Sequence, residues 1–148
     1  MKILSFNCRG IASPPKKLAL RRLLTSALVD IIFLQETLCS VEVLFTLLNA
    51  WLSNWTFHAL DATGRSRGIV IGFCNKTVDI RNIWGGRGYI SVDIYTSLME
   101  VDFQIMNVYG PCLDRANVWR RFLDSDFLQA DNIILGGDLS FSLGFSES

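Results

Sequence analysis

Short, nearly unbroken apolar runs punctuate this chain, and between them the apolar residues thin to every third or fourth position. Residues 2–7 read as a short strand. Ser13 and Pro14 then offer a capping hydroxyl and a first-turn proline. Leu20, Leu23, Leu24, Ala27 and Leu28 recur at helical spacing, which predicts an amphipathic helix over residues 15–28. Residues 31–34 are continuously apolar, as in a strand covered on both faces. Ser40 starts a second helix, with Leu44, Leu47, Leu48, Trp51 and Leu52 on one face.

The middle of the chain changes period. Residues 55–60, 69–73, 78–84 and 89–95 read as strands, separated by turn signals at Thr63-Gly64, Asn75-Lys76 and Gly85-Gly86-Arg87-Gly88. Val101, Phe103 and Ile105 alternate with Asp102 and Gln104, a half-buried strand running to Tyr109. Asp114 starts a third helix bearing Val118, Trp119, Phe122 and Leu123, and residues 133–135 form a last buried strand. The order is βαβα, a run of strands, then αβ. It predicts a layered α/β domain with a mixed sheet and helices packed outside.

Composition narrows this picture. The chain has 148 residues, within the range of one domain, with 14 basic against 14 acidic side chains. Net charge makes no case for a polyanion partner, although a local basic patch stays open. Half the residues are hydrophobic and the mean hydropathy is +0.32, high for a free-standing domain. Either the core is large, or the inner face expects more chain. Residue 2 enters a strand directly, with no signal-peptide pattern, and the apolar stretch 41–52 is too short to span a bilayer. Cys8, Cys39, Cys74 and Cys112 are widely spaced and His58 is the only histidine, which argues against a Cys/His zinc site. Free, mostly buried thiols in a reducing, intracellular compartment are expected. Trp51, Trp55, Trp84 and Trp119 read as core.

Four strands end in a polar group: Asn7, Glu36, Tyr109 and Asp138. In α/β folds the ligand crevice lies at strand carboxyl ends. Any one such residue is ordinary, because strands end where solvent begins. Together they offer two carboxylates and an amide oxygen, hard donors suited to Mg²⁺. A phenol beside them can donate to an oxyanion. Metal-assisted phosphate-ester chemistry needs such groups. Lys16, Lys17, Arg21 and Arg22 form a basic helix edge that reads as a solvated face. Arg65, Arg67 and Arg87 sit in glycine-rich turns, where they are either solvated or within reach of DNA phosphates.

The stretches "ILSFNCRG" (residues 3–10), "DIIFLQET" (30–37), "GRSRGIVIGF" (64–73), "IMNVYGP" (105–111) and "IILGGDLS" (133–140) occur in that order. Together they resemble the endonuclease/exonuclease/phosphatase superfamily, most of all the apurinic-type endonuclease domain of plant non-LTR (LINE) retrotransposons. The resemblance implies the N-terminal portion of a four-layer α/β sandwich and hydrolysis of phosphodiesters or phosphomonoesters with Mg²⁺ or Mn²⁺. It implies DNA as the partner, no membrane, and an intracellular location compatible with the nucleus. It makes Glu36 the principal metal ligand with Asn7 beside it, and Tyr109 a phosphate or transition-state contact. Asp138 becomes the group that orients or deprotonates the attacking water, with Arg65 and Arg67 toward substrate. Ser140 stands where the family motif Gly-Asp-x-Asn has its amide, and it lacks that amide's reach. The family's later strands and its Ser-Asp-His acid/base histidine have no counterpart here, and His58 matches no family histidine. The expectation is therefore one domain over residues 1–148, truncated at its C-terminal side. Three readings follow: a DNA-nicking hydrolase of retroelement type, a non-catalytic remnant or nucleic-acid-binding fragment, and a small-molecule phosphatase.

Overall fold

The computed structural model describes residues 1–60, 68–86, 88–110, 120 and 132–139. Apart from residue 120, the predicted third helix over residues 114–123 falls outside these residues, as do Arg65, Arg67, Arg87, Cys112, Trp119 and Ser140. The described elements are β1 (Ile3–Asn7), α1 (Pro14–Ser26), β2 (Ile31–Gln35), α2 (Val41–Trp51), β3 (Trp55–Leu60) and β4 (Ile69–Cys74). They continue with β5 (Val78–Gly86), β6 (Tyr89–Thr96), β7 (Val101–Tyr109) and β8 (Ile133–Asp138). Among them, no helix is long and apolar enough to cross a membrane.

The strands form two four-stranded mixed sheets, β1-β2-β4-β3 and β5-β6-β7-β8. β1 runs parallel to β2, and β7 parallel to β8; the other neighbours are antiparallel. Alternation along β2 explains how the sheets stack. Ile31 and Phe33 join Ile69, Ile71 and Phe73 of β4 against Ile90, Val92, Ile94 and Ile105 of the second sheet. Ile32, Leu34 and Val70 point the other way, to Leu20 and Leu24 of α1 and Leu44 and Leu48 of α2. Both faces of β2 are thus buried, the condition its unbroken apolar run required.

Several local expectations shift. Ser13 is the N-cap residue of α1, but its side chain makes no capping bond, and Pro14 at the first turn carries the start signal. The helix ends at Ser26 and Leu28 is 86% exposed, so only Leu20 and Leu24 anchor its apolar face. Ser40 does cap α2, accepting from Val43 N at 3.3 Å. Gly85 and Gly86 belong to β5 and not to the turn, since Gly86 pairs with Tyr89 and the hairpin closes over two residues. A bulge between Ile80 and Asn82 breaks the alternation of β5, which lets Ile80 and Ile83 both face the core. Trp51, Trp55 and Trp84 are only partly buried and sit at the margins, while the core itself is aliphatic and phenylalanine-rich. Cys8 is buried; Cys39 and Cys74 are half-buried, and all three are free thiols.

Candidate functional site

β1, β2, β7 and β8 deliver Asn7, Glu36, Tyr109 and Asp138 to one place where the two sheets meet. Tyr109 donates its hydroxyl to Glu36 Oε1 at 2.7 Å. Asn7 Nδ2 lies 3.3 Å from the same oxygen and 2.8 Å from Asp138 Oδ2, so one amide nitrogen bridges both carboxylates. Tyr109 is buried, while Asn7, Glu36 and Asp138 are partly open, so the cluster has a dry floor and a wet mouth.

Local backbone geometry makes this convergence possible. Strict alternation after Phe33 and Gln35 would send Glu36 to the helix-covered face. Its φ of +50° breaks that alternation at the strand end. Arg9, at φ +48°, turns the chain just beyond β1, and its N–H donates to Asn7 Oδ1 at 3.0 Å. That bond fixes the amide with its nitrogen toward the carboxylates. The loops after β1 and β2 are stitched together by Gly10 N to Glu36 O at 2.7 Å and Ile11 N to Thr37 O at 3.3 Å. On β8, Asp138 is register partner to Tyr109, and the two glycines before it have separate tasks. A Cβ on Gly136 would lie 2.8 Å from the Phe33 ring, so the first allows β8 to close onto β2. Gly137 has φ +118° and its backbone abuts Val108 and Asn107 Oδ1, a place no side chain can occupy.

The donor chemistry fits a hard divalent cation: Glu36 and Asp138 supply carboxylate oxygens beside an open mouth. Asn7 fits less directly. As oriented it offers N–H groups, and ligation through Oδ1 requires an amide flip that gives up the Arg9 bond. No group of three or more His, Cys, Asp or Glu side chains is arranged as a metal cage among the described residues.

His58 lies in β3, at the opposite edge of the first sheet from β1, beside a groove of about 390 Å³ lined by Phe45, Leu60 and Trp84. Burial lowers its pKa, and it takes no part in the carboxylate cluster. Arg65, Arg67 and Ser140 lie outside the described residues. Lys16 is exposed on α1 and donates to Arg9 O at 2.7 Å, which braces the loop next to Asn7. The strand-end reading missed Gln35 and Asn107, both buried directly beneath the cluster. Extending the inward-facing series Ile31, Phe33, Gln35 and Phe103, Ile105, Asn107 would have found them.

A profile of the endonuclease/exonuclease/phosphatase family matches residues 4–146. The chain belongs to this family. Solved structures agree at the level of fold. The human Nocturnin catalytic domain, with bound sulfate, aligns with TM-score 0.71 and 12% identity over 95% of this chain and 64% of that one. TDP2 of D. rerio, complexed with single-strand DNA product, gives 0.72 and 16% over 95% and 60%. The Xenopus laevis APE2 catalytic domain gives 0.62 and 20% over 96% and 59%. This family member therefore spans about three fifths of the length of these proteins. No curated protein matches its sequence.

Proposed function

We propose that residues 1–148 are one portion of a divalent-metal-dependent phosphodiesterase domain of retroelement type that acts on DNA. The observation that supports this most is the shared amide: Asn7 Nδ2 holds Glu36 and Asp138 side by side, with the Tyr109 hydroxyl on Glu36. Glu36, helped by a flipped Asn7, would hold Mg²⁺ or Mn²⁺, which when bound neutralises charge on the phosphate oxygens. Asp138 takes the proton of the attacking water as the new P–O bond forms. The ester P–O bond breaks, and the leaving alkoxide takes a proton from solvent. Tyr109 has one proton to donate. Here Glu36 accepts it; were Glu36 to hold a cation, the Tyr109 O–H would donate to a phosphate oxygen. Arg65 and Arg67 belong to this reading as substrate-side groups, and Ser140 as the catalytic-motif residue in place of the family asparagine, on the strength of their motifs.

A second reading, a metal- and nucleic-acid-binding fragment without useful turnover, is favoured by one observation. No imidazole faces the cluster among the described residues, and general acid help is typically worth about 10²–10⁴-fold. Relaxation of supercoiled plasmid in Mg²⁺ or Mn²⁺ tests the proposal. Slow nicking is expected from the wild type and none from Glu36→Ala or Asp138→Ala. Nicking that survives Glu36→Ala contradicts the site. Metal and DNA binding without nicking favours the second reading.

A further inference from the structure

Two buried amides tie the sheets together one layer below the cluster. Gln35 Nε2 donates to Asn107 Oδ1 at 2.9 Å and to Ser5 Oγ at 3.3 Å. Asn107 Nδ2 donates to Leu34 O at 3.2 Å and to Val70 O at 2.7 Å. Leu34 and Val70 are register partners on β2 and β4, so an amide rooted in the second sheet grips both strands of the first at one point. Asn107 is also the register partner of Ile90 on β6 and Gly136 on β8. Both amides are fully buried, at 1% and 0% exposure.

The layer above is reached in one step. Glu36 follows Gln35, Tyr109 lies two residues beyond Asn107 on the same face, and Asp138 lies two beyond Gly136. Two inward positions on a strand are about 6.6 Å apart. Elsewhere the facing sheets meet through aliphatic and phenyl side chains, whose attraction is non-directional and tolerates sliding. Hydrogen bonds tolerate only tenths of an ångström in length and require alignment. The Tyr109–Glu36 bond crosses from β7 to β2 and so depends on how the sheets are set. Functional groups of this kind need placement within about 0.5 Å.

We propose that Gln35 and Asn107 are positioning residues: their bridge sets the slide of one sheet over the other and thereby brings the second sheet's Tyr109 and Asp138 onto the first sheet's Asn7 and Glu36. The role in metal binding rests on the hydrolase reading above; the geometric role does not. The bridge acts through Glu36, Asn7 and Asp138 and touches neither cation nor substrate. A carboxamide pair is suited to this task because it stays uncharged at every working pH. Its four N–H donors and the Asn107 carbonyl all find partners.

The test uses the 148-residue chain and three variants: Gln35→Met, Asn107→Leu, and the double Gln35→Leu/Asn107→Leu. Thermal unfolding reports the fold, the side-chain amide resonances of Asn7 report the cluster without metal, and Mn²⁺ titration reports the cation. The double variant removes the Gln35–Asn107 bond from both sides and leaves apolar side chains of similar size, so it is expected to recover part of the stability lost in Asn107→Leu, the part lost at Leu34 O and Val70 O remaining. It is nevertheless expected to show Asn7 amide signals at free-carboxamide positions and a Mn²⁺ affinity lower by about 10–100-fold, as for lost supports of metal ligands. Gln35→Met, which leaves the Asn107 bonds to the carbonyls, is expected to shift the same signals by less. If it or the double variant unfolds to wild-type temperature with wild-type Asn7 signals, the bridge is packing alone and the proposal fails. If neither double nor Asn107→Leu folds, Gln35→Met decides. If the wild type binds no Mn²⁺, the hydrolase reading falls, while the Asn7 signals still decide the bridge.

Discussion

Cys8 sits one residue past Asn7 and shows how strongly the ground around the cluster is desolvated. Burial, with smaller contributions from Cys39 and Glu36, pushes its thiol from 9.0 up to about 12. The fold therefore prefers the protonated thiol. Its contribution to stability is present below about pH 9 and is lost as pH rises toward 12. The unfolding midpoint of the wild type is expected to fall more steeply than that of Cys8→Ala between pH 9 and 11.5; parallel curves would contradict the assignment. Burial of this thiol was expected from the sequence, because widely spaced free cysteines are mostly buried. Glu36 was harder to place. Alternation alone points it to the wrong face, and only the left-handed backbone at the end of β2 turns it inward.

At the scale of elements, the last strand depends on two glycines. Gly137→Ala would force a side chain at φ +118° against the Val108 backbone and Asn107 Oδ1. A backbone strain of this kind costs about 1–3 kcal/mol, and relief by shifting β8 would carry Asp138 away from Asn7. The denaturation midpoint of Gly137→Ala is expected to drop together with Mn²⁺ binding; unchanged binding would show that β8 tolerates the shift. Element identity was legible wherever both periodicity and a boundary residue were present, as at Ser40 and α2. It was less legible where tertiary contact overrules the local signal. Leu28 fits the helical period of α1, yet α1 has ended. Gly85-Gly86 reads as a turn, yet Tyr89 pairs across it and holds it in β5. The strand-end rule found the four polar tips and passed over Gln35 and Asn107, because a mid-strand amide carries no boundary signal. Its meaning lies in the facing sheet.

At the scale of the molecule, the cluster stands at the side of the sandwich where β1 and β8 approach each other. Each is paired on one side only among the described residues, and Phe6, Leu135 and Leu139 there are 39%, 36% and 41% exposed. Open strand edges with apolar side chains invite further strands. Concentration-dependent self-association is expected by light scattering, reduced in Phe6→Lys/Leu135→Lys; equal association would place the sticky surface elsewhere. The family was readable from five short motifs, and with it a sandwich of two sheets, whereas the assignment of each strand to its sheet emerged only from pairing. That assignment matters most for function, since Asn7 and Glu36 belong to one sheet and Tyr109 and Asp138 to the other. The central claim, on the proposed reading, is that Glu36 with Asn7 holds the divalent cation, and that Asp138 and Tyr109 stand beside it toward water and phosphate. Mn²⁺ titration of the wild type, Glu36→Gln and Asp138→Asn, followed by electron paramagnetic resonance, tests it most directly. Weak binding is predicted for the wild type, since two carboxylates and an amide leave much of the shell to water. A loss of about tenfold or more is predicted for Glu36→Gln, and a smaller loss for Asp138→Asn. Equal affinity in the wild type and Glu36→Gln would contradict it.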